Sequence, residues 1–156
     1  MKVSKHTAYH EAGHAAMIFL LGKRFKSVTI KPSGKAGNLG TLFQHRRPSI
    51  YYQKLSYNKL VNECMVGLSG QVSDEIYSRR KLGAVKSGAS QDYQNIAEWI
   101  FEYMDEEEAK LFLKWIKLRT RNKLTNHWSL VENIAEELLK REILVYEDVS
   151  KLALKR

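Results

Sequence analysis

The stretch Lys5-His6-Thr7-Ala8-Tyr9-His10-Glu11-Ala12-Gly13-His14-Ala15-Ala16-Met17-Ile18-Phe19-Leu20-Leu21 sets the reading of the whole chain. Ser4 stands where it can cap the start of a helix. Gly22, followed by Lys23 and Arg24, can end one. From Ala15 to Leu21 the run is apolar on every side, which predicts a helix end buried in a core. It is far short of the roughly 20 apolar residues that a membrane span needs.

Outward from this helix, Ser27-Val28-Thr29-Ile30-Lys31 alternates in the manner of a strand, and Leu39 to Gln44 is a second β-prone run. Pro32 to Asn38 between them has turn composition, so a hairpin with a long loop is expected. From Tyr51 onward the period becomes helical: Tyr57, Leu60, Val61, Cys64, Met65, Leu68, Val72 and Ile76 recur every three or four residues. Gly67 and Gly70 lie inside this helix at a propensity cost of about 1 kcal/mol each, which close contact with another helix would justify. Lys81 to Ala89 reads as a loop, and Ser90 to Met104 as a helix. Asp105 with Glu108 forms a capping pair that opens a long helical stretch. A break near Thr125 is possible, with Ser129 and Glu132 as a second capping box, and a short helix is expected from Glu147 to Leu154. The expected fold class is mainly α with a small β-hairpin or sheet, in one domain over residues 1–156.

With 44% hydrophobic and 28% charged residues, the chain of 156 residues has the composition of a globular protein rather than a disordered one. The formal charge of +9 favours anionic partners but says nothing about fold. A single cysteine, Cys64, excludes an internal disulfide and a Cys-based zinc site. Met1 to Thr7 is polar and gives no sign of a signal peptide, so a cytoplasmic domain is expected.

The chemistry lies in His10-Glu11-Ala12-Gly13-His14. Histidines at i and i+4 project only about 40° apart on a helix, so both imidazoles can reach one ion. Glu11 is rotated by about 100° from His10, beside the ligands rather than among them. A carboxylate there can deprotonate a water that zinc has already acidified, which is the logic of the HExxH zinc peptidases. With five His and thirteen Glu in the chain, composition alone gives about 0.01 chance copies of this motif. A catalytic zinc usually takes three protein ligands. Met17 and Leu20 stand where a metzincin would carry its glycine and third histidine, and Gly67 ends an NExxxE pattern begun by Asn62-Glu63. The third ligand is therefore open among Asp92, Asp74, Glu75, His45, His127 and His6.

Thr7 to Ala15 resembles the opening of the peptidase domain of the FtsH family of ATP-dependent zinc proteases. The likeness continues in order along the chain. Ser27 to Pro32 and Leu39-Gly40-Thr41 resemble that family's first strands. Gly67 to Ile76 resembles its Gly-rich helix, which ends in the acidic pair Asp74 and Glu75, and Ser87-Gly88-Ala89-Ser90-Gln91-Asp92 its third-ligand segment. Val131 through Leu144 resembles its C-terminal helix. The resemblance implies one Zn2+ per chain held by His10, His14 and Asp92, with Glu11 as catalytic base. Asp74 and Glu75 would orient a ligand histidine, and Thr41, Leu42 and Phe43 would form an edge strand for an extended peptide. The chain departs from the family in three ways. It contains no G-x-x-x-x-G-K-[ST] loop, has Gln71 where arginine is common, and looks shortened around Tyr103 to Glu108.

The expected activity is that of a zinc metalloendopeptidase acting without ATP on peptides or unfolded segments, with a separate ATPase or delivery partner as a possible companion and an oligomer possible. Two alternatives stand beside it. One is a non-catalytic, metal-binding helical adaptor, against which the intact Glu11 argues. The other is a nucleic-acid-binding protein that uses Lys114, Lys117, Arg119, Arg121 and Lys123 beside Trp115. A basic helix face is more often simply solvated.

Overall fold

A computed structural model describes residues 5–31, 41–44, 56–79 and 91–155. Six helices and three short strands are found among them. They are α1 (Lys5–Leu20), β1 (Phe25–Thr29), β2 (Thr41–Gln44), α2 (Tyr57–Tyr77), α3 (Gln91–Phe101), α4 (Glu106–Asn126), α5 (Trp128–Arg141), β3 (Ile143–Val145) and α6 (Tyr146–Ala153). The molecule is thus mainly helical with a small sheet. The expected cap Ser4, the turn Pro32 to Asn38 and the loop Lys81 to Ala89 lie outside the described residues.

α1 ends where the sequence places its stop. Gly22 takes φ +69°, a left-handed conformation that a side chain would disfavour. Its N–H donates to Phe19 O and that of Lys23 to Ile18 O, both at 3.0 Å, so the last carbonyls of the helix are satisfied. α4 begins on the expected capping box. Glu108 N–H donates to Asp105 Oδ1 at 2.9 Å, and Asp105 N–H to Glu108 Oε2 at 3.3 Å.

The hairpin forms antiparallel, with Val28 opposite Leu42 and Thr29 opposite Thr41, and a bulge between Phe25 and Ser27. The sheet has a third member that the sequence pattern did not announce. β3 pairs antiparallel with β1, giving the order β2-β1-β3, and Leu144 sits opposite Val28. This corrects the C-terminal helix expected to run through Leu144. α5 stops at Arg141, Glu142 turns left-handed at φ 62°, and the chain joins the sheet. Leu144 is buried there, so sheet pairing and burial outweigh the continuation of the helix. The second capping box is also corrected. The helical stretch does break, but at His127, and Ser129 and Glu132 lie inside α5.

α2 packs against α1, α3 and α4, and α5 covers another side of α1. This explains why α1 is buried on several sides, from Ala8 and Ala12 to Met17 and Ile18. Among the described residues no helix is long and apolar enough to cross a membrane.

Candidate metal centre

The site grows out of the close approach of α1 and α2. A Cβ added to Gly13 would lie 2.5 Å from Ser69 O and from Ser73 Cβ, so only a hydrogen fits there. Ser73 Oγ donates to Tyr9 O at 2.6 Å and Ser69 Oγ to Val66 O at 2.6 Å, which satisfies buried hydroxyls at the seam. With small residues on both helices, the imidazoles of α1 reach the α2 backbone.

His10 and His14 lie one turn apart, with ring centroids separated by 4.9 Å. His10 Nδ1–H donates to Asp74 Oδ2 at 2.8 Å, and His14 Nδ1–H donates to Val66 O at 2.8 Å. A carboxylate and a carbonyl can only accept, so both rings carry their proton on Nδ1. Both Nε2 atoms face the same space, 3.2 Å apart. Two nitrogens each about 2.0–2.1 Å from a tetrahedral ion would lie about 3.3–3.4 Å apart. The donor set therefore fits a zinc ion. Gly70 completes the cradle: a Cβ there would lie 2.6 Å from His10 Nε2 and closer still to His14 Nε2. This is the close contact that its place inside a helix called for.

Glu11 is 6% exposed and Glu75 is fully buried. Gln71 Nε2 donates to Glu75 Oε1 at 3.2 Å, so the residue that replaces the common arginine is engaged with the second acid of the pair. Asp74 is a bridge. While Oδ2 accepts from His10, Oδ1 lies 3.0 Å from His6 Nδ1, at ion-pair distance but without hydrogen-bond alignment. Asp74 and His6 thus serve the far side of the His10 ring. His127 is remote from both histidines in its role, donating from Nδ1 to Lys123 O at 2.9 Å at the α4–α5 junction. Among the described residues no three His, Cys, Asp or Glu side chains are placed to hold one ion. The side chain of Asp92, in the first turn of α3, lies outside the described residues, as do His45 and the side chains of Thr41, Leu42 and Phe43. The backbone of β2 is described, and it forms one edge of the sheet.

An aromatic wall flanks the pair. Tyr9 stacks on Tyr77 at 3.9 Å and on Trp128 at 5.8 Å. Burial, aided by the charges of Glu132, Tyr77 and Glu136, pushes the Tyr9 phenol above its ordinary pKa and keeps it protonated. Sequence reasoning missed Val66 O, Ser69 and Ser73. A backbone carbonyl carries no residue signature, and serines in a helix have many uses.

Residues 1–105 match the profile of peptidase family M41. The chain is 31% identical to the ATP-dependent zinc metalloprotease FtsH 1 of Alkaliphilus metalliredigens, over 95% of this chain and 29% of that protein. It is 28% identical to the ATP-dependent zinc metalloprotease FtsH of Opitutus terrae, over 94% of this chain and 28% of the relative. It is 24% identical to the mitochondrial inner membrane m-AAA protease component yta12 of Schizosaccharomyces pombe, over 93% and 22%. The chain thus spans less than a third of the length of these relatives. With the profile covering two thirds of its residues, and the paired histidines lying within that part, the chain belongs to peptidase family M41.

Proposed function

We propose that this chain is a zinc-dependent metallopeptidase in which His10 and His14 hold the ion, Asp92 is the third ligand and Glu11 is the catalytic base. The observation that carries the reading is the pair of Nε2 atoms 3.2 Å apart, with both Nδ1 protons committed elsewhere. Zinc bound there would supply Lewis acidity, polarising a peptide carbonyl and acidifying a water. The chain's own residues do the rest. Asp74 and the Val66 carbonyl accept from the two Nδ1–H groups and fix the rings with Nε2 turned toward the ion. The Glu11 carboxylate takes the proton of the attacking water and delivers it to the departing amide nitrogen. Glu75, bonded to Gln71, supports the arrangement behind Asp74.

The substrate is a peptide or unfolded segment. The edge position of β2 suits the pairing of such a segment with Thr41, Leu42 and Phe43. The ATP dependence in the relatives' names requires a nucleotide site, and this sequence holds no G-x-x-x-x-G-K-[ST] loop. ATP-driven delivery therefore falls to something outside these 156 residues, and the cleavage step itself needs no ATP.

Glu11→Gln tests the reading. The amide cannot accept the proton, so peptide cleavage should fall by about 10²–10⁴-fold while zinc stays bound at one per chain. Unchanged turnover removes Glu11 from the chemistry. His10→Ala with His14→Ala should abolish stoichiometric zinc, and tight retention would overturn the ligand assignment. Asp92→Ala should weaken zinc more than Glu75→Ala does. The reverse order would make Glu75 the third ligand.

A further inference from the structure

We propose that the groove between α4 and the α1–α2 pair is a docking site for an acidic peptide segment carrying an apolar side chain, separate from the metal centre. The groove has a volume of about 410 Å³. Leu21, in the turn after α1, and Met65 of α2 line one side, and Trp115, Leu118, Arg119 and Lys123 line it from α4. Trp115 is 41% exposed and Leu118 51%, so the wall offered by α4 is apolar and open. Arg119 lies over the Trp115 ring at 5.5 Å, which sets a guanidinium at the lip of the apolar floor.

Charge decides what fits. Among the described residues no carboxylate lines the groove, and Arg119 and Lys123 take part in no ion pair. Glu63, next to the lining residue Asn62, is already paired with Lys23. The described lining therefore offers two cations and an apolar floor, and no group of the opposite sign. Asn62, Asn122 and Asn126 add amides that can both donate to and accept from a peptide backbone.

The same placement argues against nucleic acid. At about 100° per residue, Arg119 and Lys123 fall within about 40° of one another on the Trp115 side of α4. Lys114, Lys117 and Arg121 fall within about 60° of one another on the roughly opposite side. The five cations that look like one basic cluster in sequence are split around the helix. A phosphate backbone needs a continuous basic stripe. A short acidic segment needs only the two cations beside an apolar slot.

The test is binding of short fluorescein-labelled peptides to the Glu11→Gln chain, followed by anisotropy, so that hydrolysis cannot be mistaken for release. A peptide alternating glutamate and leucine should bind, and its lysine–leucine and glutamate–serine counterparts should not. Arg119→Glu with Lys123→Glu should weaken binding by about tenfold or more, as should Trp115→Ala, the scale of a central interface anchor. Lys114→Glu with Lys117→Glu makes the same change in net charge and should alter affinity less than about twofold. The Arg119→Glu, Lys123→Glu chain should instead take up the lysine–leucine peptide, a gain that an unfolded variant could not show. Equal losses from both charge reversals would reduce the effect to diffuse attraction and overturn the site. So would a single-stranded oligonucleotide that binds more tightly than the acidic peptide and is lost with Lys114 and Lys117. Binding does not depend on catalysis, so failure here leaves the peptidase reading standing, and loss of that reading leaves this one.

Discussion

Toward α1, helix α2 presents Ser69, Gly70 and Ser73, and toward α4 it presents Asn62 and Met65 beside Trp115. The first seam is closed. With no side-chain bulk between the helices, the Val66 carbonyl, Asp74 and two imidazoles meet at hydrogen-bond distance. Beside the second seam a groove of about 410 Å³ remains, lined by Trp115 and Leu118. One helix thus makes a rigid polar site where its neighbour offers glycine, and an accessible surface where its neighbour offers tryptophan. Tolerance to substitution should follow the same division.

The largest effect is expected from Gly70→Ala. The new methyl would occupy the space between the two Nε2 atoms, so zinc affinity measured against a competing chelator should fall by more than the 10–100-fold typical of losing a partner behind a ligand. Helix propensity itself would improve by about 1 kcal/mol, so loss of metal without global unfolding is the signature of a local clash. Zinc bound normally in this variant would remove Gly70 from the cradle.

Asp74→Asn comes next. An asparagine can still accept from His10, but it no longer offers a charge behind the ring, and zinc affinity should drop by about 10–100-fold. A loss no greater than that of a substitution on the outer face of α4 would make Asp74 a bystander.

Gly13→Ala and Gly22→Ala separate packing from backbone conformation. The first drives a methyl into Ser69 O and Ser73 Cβ and should destabilise the fold by about 1–3 kcal/mol in a denaturant titration. The second meets no atom but holds an L-residue at φ +69°, at a cost of about 1 kcal/mol. Cys64 lies on α2, the helix that packs against α1. Burial pushes its thiol up to about 12, so the thiolate is scarce near neutral pH and iodoacetamide should react only through opening. Labelling should be faster in Gly13→Ala than in Gly22→Ala, and the reverse order would place the weak point outside the α1–α2 seam.

The smallest effect belongs to the open side. Leu111 is 70% exposed on α4, and Leu111→Glu should change stability by no more than about 0.5 kcal/mol. A larger loss would mean that the face is packed rather than free.

Much of this division was legible without coordinates, because its signals are local. The 3.6-residue period of α2, the left-handed stop at Gly22, the box of Asp105 and Glu108, and the i, i+4 spacing of His10 and His14 each depend on residues within a turn or so of one another. The break at His127 was blurred for the same reason. Neither Gly nor Pro marks it, and Ser129 with Glu132 offers a rival cap that the fold does not use.

Sequence by itself determined the main helical stretches, the stop of α1 and the start of α4, and that two histidines share a face with a glutamate beside them. Only tertiary structure decided what those histidines touch. The partners of His14 and His10 lie 52 and 64 residues away, and no periodicity reports a contact at that separation. It also decided that Ile143–Val145 becomes a strand and that a groove lies beside Trp115 on α4. Each of these depends on which neighbour a segment packs against. Burial and pairing energy at that distance outweigh the weak local preference of three or four residues.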